Sequence, residues 1–133
     1  NAHNPMEGLN ILVIDDDPSL LSALATLLDD WRCRSLTAES IDTALSAMKT
    51  QQFCPDIILS DYRLGGGATG IDAVRAIREI TAKDTAAILM TGDTDPALVK
   101  KIRDQKFFLL HKPVKPVQLR KSIGKLLSSE TLI

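Results

Sequence analysis

Short apolar runs recur along this chain, and each is followed by a stretch whose apolar positions repeat every three or four residues. The runs predict buried strands and the repeats predict amphipathic helices. Strands are expected over about 10–14, 34–37, 57–60, 87–90 and 107–110. Helices are expected over about 18–30, 40–51, 71–82, 96–104 and 117–127. Leu21, Leu24, Leu28 and Trp31 mark the inward side of helix one. Ile41, Ala44, Leu45 and Met48 do so for helix two, and Ile71, Val74, Ile77 and Ile80 for helix three. Helix four turns Leu98, Val99 and Ile102 inward, and helix five Leu119, Ile123 and Leu126. Pro18 suits a first helical turn with Asp17 as its cap, and Ser40 reads as the cap of helix two.

Continuous apolar strands alternating with amphipathic helices argue for an α/β parallel sheet covered on both faces. The common doubly wound strand order is 2-1-3-4-5, which makes strands one and three central neighbours. In such sheets ligands bind outside the carboxyl ends of the strands. Those ends carry the polar residues here. Asp15 and Asp16 follow strand one, Asp61 follows strand three, Thr91 follows strand four, and Lys112-Pro113 follows strand five.

Composition narrows the classes without choosing one. The chain has 133 residues, 44% hydrophobic and 25% charged, which fits one ordinary globular domain. A net charge of −1 gives no reason to expect direct nucleic-acid contact. No apolar stretch approaches the ~20 residues of a membrane span, so no membrane contact by this domain is expected. Residues 1–8 lack the pattern of a signal peptide. Cys33 and Cys54 sit at no metal-ligand spacing and read as small buried thiols in a reducing, cytoplasmic setting. The chain opens on Asn1, so it reads as a piece of a longer protein, whose remainder could be membrane-anchored. Residues 1–8 are expected to be tag scar or linker, 9–128 the domain, and 129–133 a tail.

Carboxylates gathered at one sheet edge repel, and a hard divalent cation with oxygen ligands relieves the repulsion; Mg²⁺ is the usual choice beside phosphate, with Mn²⁺ as substitute. A carboxylate can also attack phosphorus to give an acyl phosphate. Lys112 offers a positive charge, Thr91 a hydroxyl, and Gly92 an open backbone N–H for the charge that develops on a transferred phosphoryl group.

As an ordered set these residues resemble the receiver domain of the two-component response-regulator family, over roughly Leu9 to Leu127. The resemblance implies a flavodoxin-like, five-stranded doubly wound fold with five helices on both faces. It implies Asp61 as phosphoacceptor, with Asp15, Asp16, Asp61 and the backbone carbonyl of Arg63 at the metal. Thr91, Gly92 and Lys112 would bind the phosphoryl group, and the Lys112–Pro113 peptide would be cis. The implied function is phosphorelay: Asp61 accepts a phosphoryl group from phosphohistidine on a histidine kinase or histidine phosphotransfer domain. A homodimer through the helix four–strand five–helix five face is a further option. The segments around Asp15, Trp31-Arg32-Cys33 and Asp61-Tyr62-Arg63-Leu64 resemble the C-terminal receivers of hybrid sensor histidine kinases, which would make the parent an enzyme. A response regulator shorn of its output domain and a stand-alone receiver remain open, as does a pseudo-receiver that binds without phosphate.

Some positions depart from that pattern. Leu109 stands three residues before Lys112, where an aromatic is common, and this puts the usual Thr–aromatic switch in doubt. The loop from Tyr62 to Gly70 is about one residue longer than usual and lacks a proline. Arg63 and Asp93 are expected to pair across the mouth of the site and slow hydrolysis of the acyl phosphate. Gly65-x-Gly67-x-x-Gly70 matches a dinucleotide fingerprint, but after the third strand and not the first, and reads as a flexible loop. Asp15-x-Asp17 resembles the opening of haloacid-dehalogenase-type phosphatases, which need a larger body. His111 is expected to point away from the site, His3 belongs to the expected linker, and Trp31 reads as core. The lysines and arginines of helices four and five read as solvated faces or a partner surface.

Overall fold

The computed structural model describes residues 4–131. His3 and the last two residues of the expected tail lie outside the described residues. Strands and helices alternate: β1 (Asn10–Ile14), α1 (Pro18–Asp30), β2 (Arg34–Ala38), α2 (Ile41–Gln51), β3 (Ile57–Asp61), α3 (Gly70–Thr81), β4 (Ala86–Thr91), α4 (Pro96–Asp104), β5 (Phe108–His111) and α5 (Pro116–Thr131). The strands form one parallel sheet in the order β2-β1-β3-β4-β5. This is the doubly wound, flavodoxin-like arrangement that the alternation predicts. β3 and β4 each run one residue past the expected end, so Asp61 and Thr91 are strand termini.

The two faces of the sheet are filled by alternate residues of the same strands, as the two-residue period of a strand requires. Ile11, Val13, Ile57, Leu59, Ile88 and Met90 pack with Leu21, Leu24 and Leu28 of α1 and Leu119 and Ile123 of α5. Leu12, Ile14 and Ile58 pack on the opposite face with Ala44 and Met48 of α2 and Val74 and Ile77 of α3. A smaller cluster of Tyr62, Ile71, Leu89 and Ile102 seats α4 beside the end of β3. Fully burying each Leu or Ile contributes about 1.5–3 kcal/mol, so both layers are needed.

Three expectations change. Ile80 is 63% exposed. The stripe Ile71–Val74–Ile77 advances by three residues, about 60° short of a full turn at each step, and the fourth member has rotated out to solvent. Cys54 is exposed, on the connection after α2, with Lys83 Nζ 3.6 Å from its sulfur; Cys33 is buried as expected. Residues 4–8, read as linker, lie on the domain. Asn4 Nδ2 donates to Trp31 O, Gly8 N donates to Arg32 O, and Met6 is only 3% exposed within the α1 core. At the other end α5 continues as helix to Thr131, into the expected tail.

The loop after β3 folds back on itself. Arg63 and Thr69 form an antiparallel bridge, Leu64 N donates to Ala68 O, and Gly70 N donates to Tyr62 O. Gly65, Gly66 and Gly67 all take positive φ, so the glycine run makes a tight reversal and not a phosphate cradle at a helix start. Thr69 caps α3, accepting from Asp72 N while Asp72 accepts from Thr69 N. At Gly70 a Cβ would stand 2.6 Å from the carbonyl oxygen of Asp61 and 2.8 Å from Leu89 Cδ2. Gly70→Ala is therefore expected to cost about 1–3 kcal/mol, read as a lower urea midpoint with unchanged slope.

Candidate functional site

The register brings the polar strand ends together. Ile14 lies beside Ser60 and Asp61 beside Met90, so the residue after β1, Asp15, stands next to the end of β3. Thr91 pairs in register with His111, which puts Lys112 one residue beyond. Topology alone thus collects residues from four strands into one crevice.

Asp15 is fully buried and Asp61 is 8% exposed. Lys112 Nζ bridges them, donating to Asp15 Oδ2 at 2.8 Å and standing 3.2 Å from Asp61 Oδ2. Asp15 Oδ1 accepts from Asp17 N, so both of its oxygens are held. Asp17 itself caps α1 by accepting from Ser19 N and Leu20 N, the role its place before Pro18 suggests. Asp16 is exposed. One carboxylate oxygen from each of Asp15, Asp16 and Asp61 lies within 4.8 Å of the others. Clustered hard oxygen donors, one of them open to solvent, fit a divalent cation such as Mg²⁺.

Thr91 is buried, and its hydroxyl accepts from Asp93 N at 3.0 Å. Gly92 is exposed, with open space where a Cβ would be. Asp93 Oδ2 meets Arg63 Nη2 at 3.1 Å across the mouth, and Asp93 Oδ1 accepts from Asp95 N. The Lys112–Pro113 peptide is cis. Leu109 is half-buried and packs with the Tyr62–Ile102 cluster. His111 is exposed and lines a groove beside α5, apart from the carboxylates. One feature of the site lay outside the sequence reading, the direct Lys112–Asp15 bond, which only the register reveals. Gly70, read from the sequence as supporting the entry to α3, does so because its missing side chain lets the helix start against the backbone of Asp61.

Burial pushes the Asp61 carboxyl above the usual carboxylate range; the charge of Asp15 adds to this, and Lys112 opposes it. For Lys112, burial alone would favour the neutral amine, but the bonds to Asp15 and Asp61 outweigh it and hold the ammonium above its ordinary value. The half-buried Asp93 carboxyl is held below the usual carboxylate range by the Asp95 N–H and then by Arg63. A raised carboxyl binds its proton more tightly folded than unfolded. The contribution of Asp61 to stability therefore declines as pH rises from the ordinary carboxylate range through its raised folded value, then stays constant. The contribution of Lys112 is full below the ordinary lysine range and is lost as pH rises through its raised folded value. In chelator-treated protein at neutral pH, Asp61→Asn is expected to stabilise the fold, with the gain shrinking in acid. Lys112→Met is expected to cost about 2–3 kcal/mol, because it leaves buried Asp15 without its cation. Urea unfolding at several pH values checks both signs.

The sequence profile described as Response regulator receiver domain matches residues 11–124. The C4-dicarboxylate transport transcriptional regulatory protein DctD of Pseudomonas aeruginosa is 32% identical over 125 residues, 92% of this chain and 26% of that protein. The two-component response regulator ORR21 of Oryza sativa is 28% identical over 115 residues, 85% of this chain and 16% of its own length. The chain thus spans about a quarter or less of these curated relatives. Among solved structures, a response regulator receiver domain protein from Clostridium thermocellum has a TM-score of 0.78 at 27% identity, covering 93% of this chain and 98% of that one. The chemotaxis protein CheY4 of Vibrio cholerae has a TM-score of 0.75 at 27% identity, covering 89% and 98%. No helix among the described residues is long and apolar enough to cross a membrane.

Proposed function

Because the chain belongs to the response regulator receiver family and is a receiver domain of two-component signalling, we propose that Asp61 is its phosphoacceptor, taking a phosphoryl group from phosphohistidine on a histidine kinase or histidine phosphotransfer domain. The observation that carries this reading is the clustering of Asp15, Asp16 and Asp61 with Lys112 bridging the two buried acids. An Asp61 carboxylate oxygen attacks phosphorus; the P–N bond breaks as the O–P bond forms, and the histidine nitrogen keeps the electron pair. Lys112 keeps its proton through this step and donates to a phosphoryl oxygen. The Thr91 hydroxyl accepts from Asp93 N, so its own proton is free to donate to the same group, and Gly92 N–H can approach without a side chain in the way. Asp15, Asp16, Asp61 and the carbonyl of Arg63 would hold Mg²⁺ or Mn²⁺. When bound, the ion supplies neutralising charge beside the phosphoryl oxygens.

We take the parent to be a hybrid sensor histidine kinase, supported by the resemblance around Asp15, Trp31 and Asp61. The names of the larger relatives, regulators of which this chain spans a fraction, support the alternative of a receiver attached to an output domain.

Incubation with acetyl phosphate and Mg²⁺ is expected to add one phosphoryl group by intact mass, with no gain for Asp61→Asn or without the metal. Failure with acetyl phosphate and also with a phosphorylated histidine donor would leave only a binding module. The Arg63–Asp93 pair partly covers the mouth, so replacing both by Ala is expected to shorten the lifetime of the phospho-form. Arg63 is largely open to solvent, which screens the pair, so the change should be small, within about fivefold. An unaltered decay rate, followed by phosphate release, would remove the pair from this role.

A further inference from the structure

The amino ends of β3 and β4 bring a second set of groups together, at the end of the sheet opposite the carboxylate crevice. Ile57 pairs in register with Ala86, and the same offset carried three residues back sets Cys54 beside Lys83. The Lys83 ammonium lies 3.6 Å from the Cys54 sulfur. Sulfur is a weak acceptor, so this cation rests on a poor partner. Among the described residues Lys83 forms no ion pair.

Cys54 also lines a groove of about 510 Å³ between the carboxyl ends of α2 and α3. Its buried lining is Met48 and Phe53, both members of the core layer under α2 and α3, and Leu45 packs on that same layer. Ile80 borders it from α3, so the side chain that rotated out of the helix stripe faces this groove. Lys49 stands in the wall, and the Arg34 guanidinium stacks on Phe53 at 6.0 Å. Three cations therefore frame an apolar groove, and among the described residues Lys49 and Arg34, like Lys83, form no ion pair. The acids nearest in sequence do not compensate them. Asp84 pairs with Arg78, and Asp56 accepts from Asn10 N. Glu79, one residue from Ile80 and so about 100° round α3, does not line the groove.

We propose that this groove binds a free, linear carboxylate amphiphile, with its alkyl chain along Leu45, Met48, Phe53 and Ile80 and its carboxylate drawing the Lys83 ammonium off the Cys54 sulfur. A charge-assisted bond to a carboxylate is the stronger of the two. Charge complementarity selects an anionic head, and the apolar lining selects an alkyl tail. The volume falls in the range of roughly 300–1,000 Å³ usual for small-ligand pockets. A stable protein interface takes about 800 Å² from each partner, and one groove between two helix ends falls short of that.

The full chain supplies its own reporter. Cys33 is buried and Cys54 exposed, so the rate of reaction with dithiodipyridine reads Cys54. Dodecanoate, kept below its micellar concentration, is expected to slow this labelling saturably and to bind one molecule per chain by calorimetry. Decanoate is expected to bind about fivefold more weakly, because two methylenes leave the groove. Dodecyltrimethylammonium, with the same chain and a cationic head, is expected to give no protection. Ile80→Asp, at a position 63% exposed, keeps the fold and is expected to abolish protection. Lys49→Glu with Lys83→Glu is expected to weaken binding about tenfold, taken from the ratio of labelling rates with and without dodecanoate. Equal protection by the cationic amphiphile, no dependence on chain length, or protection unchanged in Ile80→Asp would overturn the proposal. So would stronger protection by phosphatidylglycerol vesicles, which would make this face a membrane contact, or by an acidic amphipathic peptide, which would make it a partner site. None of these readouts uses Asp61, so the proposal and the phosphoacceptor reading fail separately.

Discussion

Two acids that would repel one another are held side by side by a single ammonium group. Asp15 is fully buried and Asp61 nearly so, and in a poorly solvated crevice an uncompensated pair of carboxylates is strongly unfavourable. Lys112, arriving from the far end of the chain, lies within 2.8 Å of one and 3.2 Å of the other. The strand order makes this geometry available, since β1 and β3 are neighbours while β4 and β5 extend the sheet on the same side. The site thus binds the last strand's connection to the first strand electrostatically, in addition to the apolar layers that hold the sheet.

The same arrangement explains why the acids keep different characters. Asp15 has both oxygens engaged by the chain itself, from Lys112 and the Asp17 amide. Asp61 shares Lys112, suffers both burial and the charge of Asp15, and is the more basic for it. Asp17 is removed from the competition by its duty at the start of α1. Four neighbouring acids therefore divide into a buried holder at Asp15, the proposed phosphoacceptor at Asp61, an exposed carboxylate at Asp16 and a helix cap at Asp17.

Most of the fold was legible because its signals are local and repeated. Apolar runs gave the strands, and Pro18, Asp17 and Ser40 gave helix starts, all governed by neighbours in sequence. The residues of the crevice were legible as strand-end polar groups once a parallel sheet was inferred. What was not legible depends on angle or on contact between distant segments. Ile80 follows the same spacing as Ile77, yet accumulated rotation turns it out. Met6 fell in the stretch read as tag scar or linker, but Asn4 and Gly8 anchor that stretch on the end of α1. The glycine run read as slack, whereas three positive φ values and a bridge between Arg63 and Thr69 make it a fixed reversal.

The hydrogen bond from the Asp93 amide to the Thr91 hydroxyl has a dynamic meaning. It acts as a detent on the side chain's rotor: turning the hydroxyl elsewhere forfeits a bond of about 1 kcal/mol. A rotamer change therefore has a threshold of roughly fivefold in population before any outside group pulls on it. A weak pull leaves Thr91 parked, and a group that offers a stronger acceptor to its proton tips it over. The backbone after β4 thus sets how insistent an incoming oxygen must be before the end of that strand responds.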